Sequence, residues 1–539
     1  CQGTTSAFTG SNNVVLGTNA GLLLTSGSGA VLVGLSAGAA LTTSVANTFV
    51  GYQAGLNTTG DGNTLLGKGT GIFLTSGTNN VCLGTNACQG NAAGFTGGQN
   101  VFLGTNTGLT VTSAENNVVA GFGAGGALTS ASANTLIGYQ AGAVMTSDGN
   151  TLIGKGAGVS LTTGANNTCI GVNACAGGVG VFTGGQNIVI GTNAGLALAA
   201  GTSNVFVGFG TGGKATATGD TFIGNNAGAN LTTGGSNVCV GPNACLGAVG
   251  ATGATNVAIG VNTALALTSA SNTISIGTNA GRALTSGSFN ILMGLSAGFA
   301  LTTGLGNMLL GNEAGLALVS GSDNTCIGED ACRAMVTTIP SFNVAVGTNA
   351  MQTLTTGTHN TGIGTNALTS LTTGNRNVGL GYEAAPLAGS ETASDSICLG
   401  YQCRFTADHQ LVIGAQSSVN GQIYDAYLGQ GVQTPTPTGI IVHATGGSGT
   451  NNIGGPLTLA GGKATGNAAG GSLIFQTSNA GASGSTLQSL STKMQITAGG
   501  KVQIEDLKTA GAAAGKLLVC YDATNGQLYA SSSGDTCAN

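Results

Sequence analysis

Short aliphatic runs alternate along the chain with turns rich in glycine, asparagine, serine and threonine. Residues 47–55 (NTFVGYQAG) show the unit and residues 56–60 (LNTTG) complete it, before the next copy begins at Asn63. Brief apolar runs bounded by such residues are typical of strands. Glycine and asparagine favour turns because they tolerate positive φ angles. The pattern therefore predicts short strands separated by tight turns.

The glycine that follows each aliphatic run marks 24 copies of this unit. The consensus is N-[TV]-x-[ILV]-G-x-x-A-G-x-x-L-T-[TS]-G-x-x, with most copies 16 or 17 residues long and a copy of 19 or 20 at intervals. A second period of 87 residues lies above the first and indicates duplicated blocks of five copies. The marking glycines are residues 17, 34, 51, 67, 84, 104, 121, 138, 154, 171, 191, 208, 224, 241, 260, 277, 294, 311, 328, 347, 364, 381, 400 and 414.

A unit of about 17 residues is too short to fold alone and has room for two short strands, one in the Asn-Thr-x-Ile stretch and one in the Leu-Thr-Thr stretch. Stacked copies predict an all-β, parallel β-solenoid of about 24 rungs of 16–20 residues, roughly 115 Å long at 4.8 Å per rung. We expect a lead-in over residues 1–11, the solenoid shaft over 12–414 and a smaller all-β, glycine-rich region over 415–539. In that region, residues 439–443, 472–477, 494–497, 501–507 and 516–521 read as strands, and 509–516 as the one plausible helical turn.

The aliphatic runs are unbroken, and this indicates that both faces of each strand are covered, because neighbouring side chains point to opposite sides. One face can fill the coil. The other needs a partner, and a symmetric homo-oligomer of the same chain would supply it. We expect Phe49 and Leu65 to lie where the chains meet.

Asparagine stands four residues before the marking glycine in 19 of the 24 copies. The exceptions are Ala30, Asp220, Thr273, Ser396 and Gln410. Stacked asparagines can form a hydrogen-bonded ladder along the axis. Two alternatives remain open: the asparagine row could read a glycan, and the Leu-Thr-Thr row could bind ice or another crystal.

The rung motif N-T-x-I-G-x-x-A-G, seen in residues 47–55 and 134–142, resembles the head repeats of YadA-like trimeric adhesins. It is still more similar to repeats of phage and large-virus tail-fibre proteins, and residues 429–500 also resemble C-terminal regions of phage fibres. The resemblance covers residues 10–415 and implies a parallel homotrimer of left-handed β-rolls. YadA-like rungs are nearer 14 residues, so this sequence departs from them in coil length.

Thirteen cysteines follow a regular spacing that predicts disulfides. The expected pairs are Cys82–Cys88, Cys169–Cys175, Cys239–Cys245, Cys326–Cys332, Cys398–Cys403 and Cys520–Cys537. Zinc is the other use of such spacing, but none of the three histidines is near a pair. Disulfides indicate an oxidising compartment. Cys1 has no partner in this scheme, so that a lipidated N-terminus and an interchain bridge are both open.

Composition argues against several functions. Charged residues make up 5% of the chain against about 25% in an average protein. Twelve Lys and Arg in 539 residues do not suit nucleic-acid binding. The acidic residues are scattered, and Glu329 and Asp330, near Arg333, form the one tight group within the repeats. Adjacent residues of an extended chain face opposite ways, so they make a poor acid–base pair. We expect no enzymatic activity, no metal and no cofactor.

The enlarged rungs are the positions where the repeats differ, and loops on a rigid scaffold often carry binding. We expect receptor contact, if any, at Phe95, Phe182, Met335 and Phe342; the alternative is that these residues only cover neighbouring coils.

The sequence favours a structural fibre at a virion surface. Its expected partners are copies of itself, a host glycan or protein receptor, and virion or anchor proteins. A bacterial surface adhesin or self-assembling filament is the alternative, and a polysaccharide-depolymerising tail spike the third.

Overall fold

The computed structural model describes residues 9–178, 180–336, 340–414, 459, 472–478, 490–500, 502–504, 519–522 and 527–530. They belong to two compact units, Cys1–Tyr424 and Asp425–Asn539. The first unit contains the repeats. The regular structure described in it is all β, and no helix occurs among the described residues of either unit.

The first unit is a parallel β-solenoid, as predicted. One strand per rung enters a single 24-stranded sheet in which each strand pairs in parallel with the strands of the neighbouring rungs, so the coil makes 23 turns between its first and last strand. The strands of this sheet are β1 (Val14–Leu16), β2 (Val31–Val33), β3 (Thr48–Val50), β4 (Thr64–Leu66), β5 (Val81–Leu83), β6 (Val101–Leu103), β7 (Val118–Ala120), β8 (Thr135–Ile137), β9 (Thr151–Ile153), β10 (Thr168–Ile170), β11 (Ile188–Ile190), β12 (Val205–Val207), β13 (Thr221–Ile223), β14 (Val238–Val240), β15 (Val257–Ile259), β16 (Ile274–Ile276), β17 (Ile291–Met293), β18 (Met308–Leu310), β19 (Thr325–Ile327), β20 (Val344–Val346), β21 (Thr361–Ile363), β22 (Val378–Leu380), β24 (Ile397–Leu399) and β26 (Leu411–Ile413).

Near the end of the solenoid, β23 (Ala385–Pro386) and β25 (Arg404–Phe405) form a further parallel pair. The strands described in the second unit pair antiparallel. There β27 (Leu473–Ser478), β28 (Leu490–Ile496) and β29 (Val502–Ile504) form one sheet, and β30 (Val519–Asp522) pairs with β31 (Gln527–Ala530). The predicted all-β C-terminal region is confirmed for these residues. The predicted strand at 439–443 and helical turn at 509–516 lie outside the described residues.

The middle residue of almost every solenoid strand is buried inside the coil, whereas its two neighbours point outwards. Phe49 and Leu65 are both 0% exposed, so the expectation that they lie between chains is wrong. A three-residue strand turns one side chain inwards and two outwards because side chains alternate along it. The outward side chains beside Phe49 are those of Thr48 and Val50.

The second strand predicted for each rung, at the Leu-Thr-Thr stretch, does not form as a regular strand. It is reduced to isolated bridges such as Leu74–Phe95 and to single rung-to-rung hydrogen bonds. The N–H of Thr59 donates to the carbonyl oxygen of Thr75 at 2.8 Å, and the Thr59 hydroxyl donates to the same oxygen at 3.2 Å. The chain turns again too soon for a ladder of such bonds to develop.

The asparagine ladder is confirmed, and it lies inside the solenoid. The N–H and the side-chain amide of Asn80 both donate to Asn63 Oδ1, at 2.9 and 3.1 Å, and the amide also donates to Gly97 O at 3.0 Å. These asparagines are almost wholly buried. The alternative of a surface row that reads glycans is therefore wrong for these side chains.

Successive coils approach most closely at the marking glycines. All 24 have φ between 126° and 147°, a region that other residues rarely adopt. A Cβ atom on Gly51 would overlap the carbonyl oxygen of Gly67 in the next rung, and one on Gly154 would overlap that of Gly171. Glycine is thus required here both by its backbone angle and by the spacing of the coils.

Asp220 interrupts the ladder with a buried carboxyl. Its Oδ1 accepts from the N–H of Asn237 at 2.8 Å, as an asparagine oxygen would. Its Oδ2 replaces the donating amide and has no hydrogen-bond partner among the described residues. Burial raises the pKa of Asp220 from 3.8 to about 6, although hydrogen bonds from Asn237 oppose the rise.

We expect Gly154→Ala to lower the thermal melting midpoint, because the new methyl group meets the backbone of the next coil in a strained conformation. The cost is about 2 kcal/mol or more. Gly180→Ala is the matched control, since a Cβ there has open space around it. Circular dichroism melts of the two variants check this, and equal midpoints would contradict the glycine column.

We expect the coils around Asp220 to be most stable at low pH. The folded-state pKa is raised, so the free energy of unfolding is highest below pH 3.8 and falls as the pH rises through about 6, by about 3 kcal/mol in total. Asp220→Asn should remove this dependence and slow amide exchange in residues 204–237 at pH 8. Hydrogen-exchange mass spectrometry, with rates corrected for intrinsic pH effects, measures the exchange rates of the variant and of the unaltered chain. If the variant slowed exchange equally at pH 4 and pH 8, the assignment of the effect to the Asp220 carboxyl would be contradicted.

Candidate functional site

The outward residues of the 24-stranded sheet form one continuous apolar surface, here called the outer stripe: the first and third residue of every strand in that sheet. The third residue is Val, Ile, Leu, Met or Ala in every strand, and the first is Val, Ile, Leu, Met or Thr. Many remain open to solvent, as shown by Leu66 at 47% and Ile363 at 43% exposed. Neither row contains a charged or amide side chain.

An apolar surface of this length, in which threonine is the one polar residue type, is unusual for an isolated soluble chain. The largest exposed apolar patch of a typical monomer covers about 300–600 Å² and often serves binding. At about 4.8 Å per strand, the outer stripe extends about 110 Å. Its burial against another surface would be favourable along its whole length.

Five of the predicted disulfides are present, with Cα–Cα distances of 5.7 to 6.0 Å. All ten cysteines of these pairs are fully buried in the coil. The sixth predicted pair, Cys520–Cys537, cannot be described because Cys537 lies outside the described residues. The metal interpretation is not supported for the five pairs, whose sulfurs are bonded to each other.

The disulfides fill space that other rungs fill differently. In most rungs a large strand residue such as Phe49 faces Gly55, where a Cβ atom would overlap the Phe49 ring. In four of the five disulfide rungs both positions are cysteine, as at Cys82 and Cys88, with Cys88 in the same left-handed region at φ 43°; in the fifth, Cys403 lies one position earlier. The bond thus joins two facing positions of the coil interior.

Three of the four candidate receptor-contact residues are not at the surface. Phe95, Phe182 and Met335 are each 0% exposed, so the prediction that they contact a receptor is wrong for them. Phe95 and Phe182 bridge Leu74 and Leu161 of the preceding rung, and so each takes the place of the rung's leucine after the enlarged loop closes. Burial of the ring inside the coil is the more favourable use of a large apolar side chain.

Phe342 is different, because it is 53% exposed and stacks on His359 with ring centroids 5.0 Å apart. The tips of the enlarged loops carry other exposed residues, Val181 at 59% and Val249 at 77%. Sequence reasoning missed these valines because a single aliphatic residue in a glycine-rich loop has no distinguishing pattern.

The charged group near residue 330 is an ion-pair network. Arg333 contacts Glu313 at 2.9 Å and Asp330 at 3.5 Å, with side chains partly exposed. Arg333 thus connects neighbouring rungs.

The threonine row also takes part in stacking. The hydroxyls of Thr25, Thr285 and Thr302 donate to carbonyl oxygens of the next rung, and this weakens the ice-binding alternative.

Ionisable side chains concentrate in the last coils. Residues 366–409 contain six charged residues in 44, whereas residues 12–365 contain thirteen in 354. Arg376 forms a two-point ion pair with Asp395, at 2.5 and 2.8 Å, and His409 lies 3.7 Å from the same carboxylate. Tyr382 and Tyr401 stack with centroids 5.2 Å apart.

A depression of about 350 Å³ opens beside these residues. Its lining includes Asn366, Ser370, Glu383, Leu387, Glu391 and Arg404. Hydrogen bonds from Tyr382 and Gln402 hold the pKa of Glu383 below its usual value, and the N–H of Gly389, which donates to Glu391, does the same for the pKa of that carboxyl. Both carboxyls are therefore ionised at neutral pH and act as hydrogen-bond acceptors.

A comparison with protein-family models finds no match, and a comparison with curated protein sequences finds none either. The part of the chain that the structure describes contains no apolar helix of membrane-spanning length. The fold and the surface thus define the class: a disulfide-containing parallel β-solenoid with one apolar outer stripe.

We expect Phe95→Ala to destabilise the solenoid by about 3–5 kcal/mol, because it leaves a cavity inside the coil. Phe342→Ala should cost far less, since that ring is half exposed. Thermal melting of both variants measures the difference. A larger loss for the Phe342 variant would contradict the assignment of Phe95 to the core.

Proposed function

We propose that this chain is a rigid, parallel, homotrimeric shaft of an extracellular attachment fibre, and specifically of a virion tail fibre. The observation that carries the proposal is the outer stripe, an apolar surface that runs along all 24 strands with no charged residue in either row. A solenoid of stacked coils is long and rigid, and an attachment fibre needs both properties.

A parallel arrangement of identical chains fits the stripe best. Parallel chains in register bring each rung to the level of the same rung in its partners, so the two outer rows meet along their full length. Closed rotational symmetry then buries the stripe of every chain equally around one axis. Three copies is the number implied by the resemblance of the rungs to trimeric fibre repeats.

The chemistry of the chain supports an extracellular setting. Five buried disulfides persist most readily in an oxidising compartment. Charged residues make up 5% of the chain and its net charge is −5 over 539 residues, which suits exposure without strong attraction to nucleic acid. The fibre's partners would be its own copies, a host receptor and the structure that anchors it.

Two other functions remain candidates. A bacterial cell-surface adhesin or extracellular filament would use the same shaft, and the genes that flank the coding sequence would distinguish it. A polysaccharide depolymerase would need one protonated carboxyl as general acid. The lowered pKa values of Glu383 and Glu391 make the depression in the last coils unsuited to that role.

We expect the double variant Ile137→Asp with Ile153→Asp to dissociate the assembly, because two charges per chain would lie unpaired in the apolar interface. An unpaired buried charge costs several kcal/mol. Sedimentation velocity should show a shift from the trimer to the 51.6 kDa monomer.

The matched control is Val249→Asp, which introduces the same charge at a loop tip that is 77% exposed and outside the outer stripe. It should leave the sedimentation coefficient unchanged. An intact oligomer for the stripe variant would place the interface elsewhere, and a monomeric unaltered chain would refute the trimer.

A further inference from the structure

The last coils depart from the regular repeat in a way that opens a surface depression. Rungs 21 to 23 differ from the others, because β23 of rung 22 pairs with β25 of rung 23 in addition to the main sheet, and a turn-rich segment, residues 388–392, follows β23. The depression lies between these rungs and has a volume of about 350 Å³. That value is at the lower end of the range for ligand pockets.

We propose that this depression binds a neutral carbohydrate of one or two sugar units. Glu383 and Glu391 supply ionised acceptors for sugar hydroxyls, and Asn366 supplies an amide that both donates and accepts. Leu387, together with Pro386 and Ala388, offers an apolar wall against which the C–H face of a sugar ring can pack. The depression thus combines polar groups, which can fix the orientation of a ligand, with a short apolar wall.

The acceptors are held in place before any ligand arrives. Gln402 Nε2 donates to Glu383 Oε2 at 3.0 Å, and Arg404 Nη2 lies 3.4 Å from the same oxygen. Glu391 Oε1 accepts the N–H of Gly389 at 2.8 Å. Side chains fixed in this way lose less conformational entropy when a ligand binds.

Charge decides between neutral and acidic sugars. The lining contains two carboxylates and one cation, Arg404, which is already engaged with the carboxylate of Glu383 and with its backbone carbonyl. An acidic sugar would meet net negative charge and would have to displace an existing ion pair. A neutral sugar needs only hydrogen bonds, so neutral hexoses and N-acetylhexosamines are the class that fits.

The arrangement suits binding without cleavage. Glycoside hydrolysis requires one carboxyl with a raised pKa beside one that is ionised. Here the pKa values of both carboxyls are lowered by hydrogen bonds. The site therefore holds a glycan and does not protonate its glycosidic oxygen.

This inference deepens the proposed function and rests on it for its biological meaning, since a glycan site near the end of the solenoid would be the attachment point of the fibre. The binding chemistry itself belongs to one chain. Oligomeric state and glycan binding can thus be measured separately on the same sample.

The test uses the full chain on an array of neutral and acidic mono- and disaccharides, followed by titration calorimetry with the best neutral disaccharide. We expect binding of neutral sugars, at least a tenfold loss of affinity for Glu391→Ala, and a smaller loss for Glu391→Gln, which keeps an acceptor. Glu115→Ala, which removes an exposed carboxylate from the regular coil, should bind as the unaltered chain does.

Preference for acidic sugars, unchanged affinity in the Glu391→Ala variant, or no array binding by a chain that melts normally would each overturn the proposal. A trimer that binds no neutral sugar would refute this inference alone. A monomer that binds neutral sugar through Glu391 would refute the trimeric shaft and leave the site standing.

Discussion

Each coil of the solenoid rests directly on the next, and the other features of the first unit depend on this close approach. At the marking glycines the backbones come so near that a single methyl group has no room, as at Gly51 and Gly154. The ladder of buried asparagines joins the same coils from inside, with one side chain accepting two hydrogen bonds from the rung that follows it. Because nearly every level needs a glycine at the close approach and most need an asparagine in the ladder, the sequence repeats at the spacing of the coil. Asp220 shows the cost of an exception, since its second carboxyl oxygen is buried without a partner among the described residues.

Several rungs of the coil interior pair side chains of complementary size. A large strand residue such as Phe49 faces a glycine, whereas two cysteines facing each other form a disulfide. Where the strand residue is the small Ala345, the residue at the facing position is the larger Met351, which has a φ of 52°. Both side chains are fully buried. The disulfides are in this respect part of the core as well as crosslinks of an enlarged rung. A short loop gains less entropy from a crosslink than a long one, so these disulfides contribute by filling the interior as well as by crosslinking.

Periodicity alone predicted the solenoid, the asparagine ladder and the pairing of ten cysteines, because each of these is fixed by spacing along the chain. The direction of side chains could not be obtained in this way. Both Phe49 and Val50 belong to one apolar run, and only the strand bounds show which of them faces the interior. Phe95 was assigned to the tip of the enlarged loop because the sequence does not show where that loop ends. In the structure a turn ends at Gly94, and Phe95 then pairs with Leu74 of the preceding rung. The depression near Glu383 was missed because its residues come from three rungs. The local excess of charge in residues 366–409 was the signal that could have found it.

Electron cryomicroscopy of the purified full chain tests the central claim most directly, since it reports symmetry and side-chain direction together. The account predicts a three-fold particle with a rise of about 4.8 Å per rung, in which Val50, Ile137 and their equivalents face the shared axis. The enlarged loops and the depression near Glu391 should face solvent. A single-chain particle, or an assembly in which the outer stripe points away from the other chains, would contradict it.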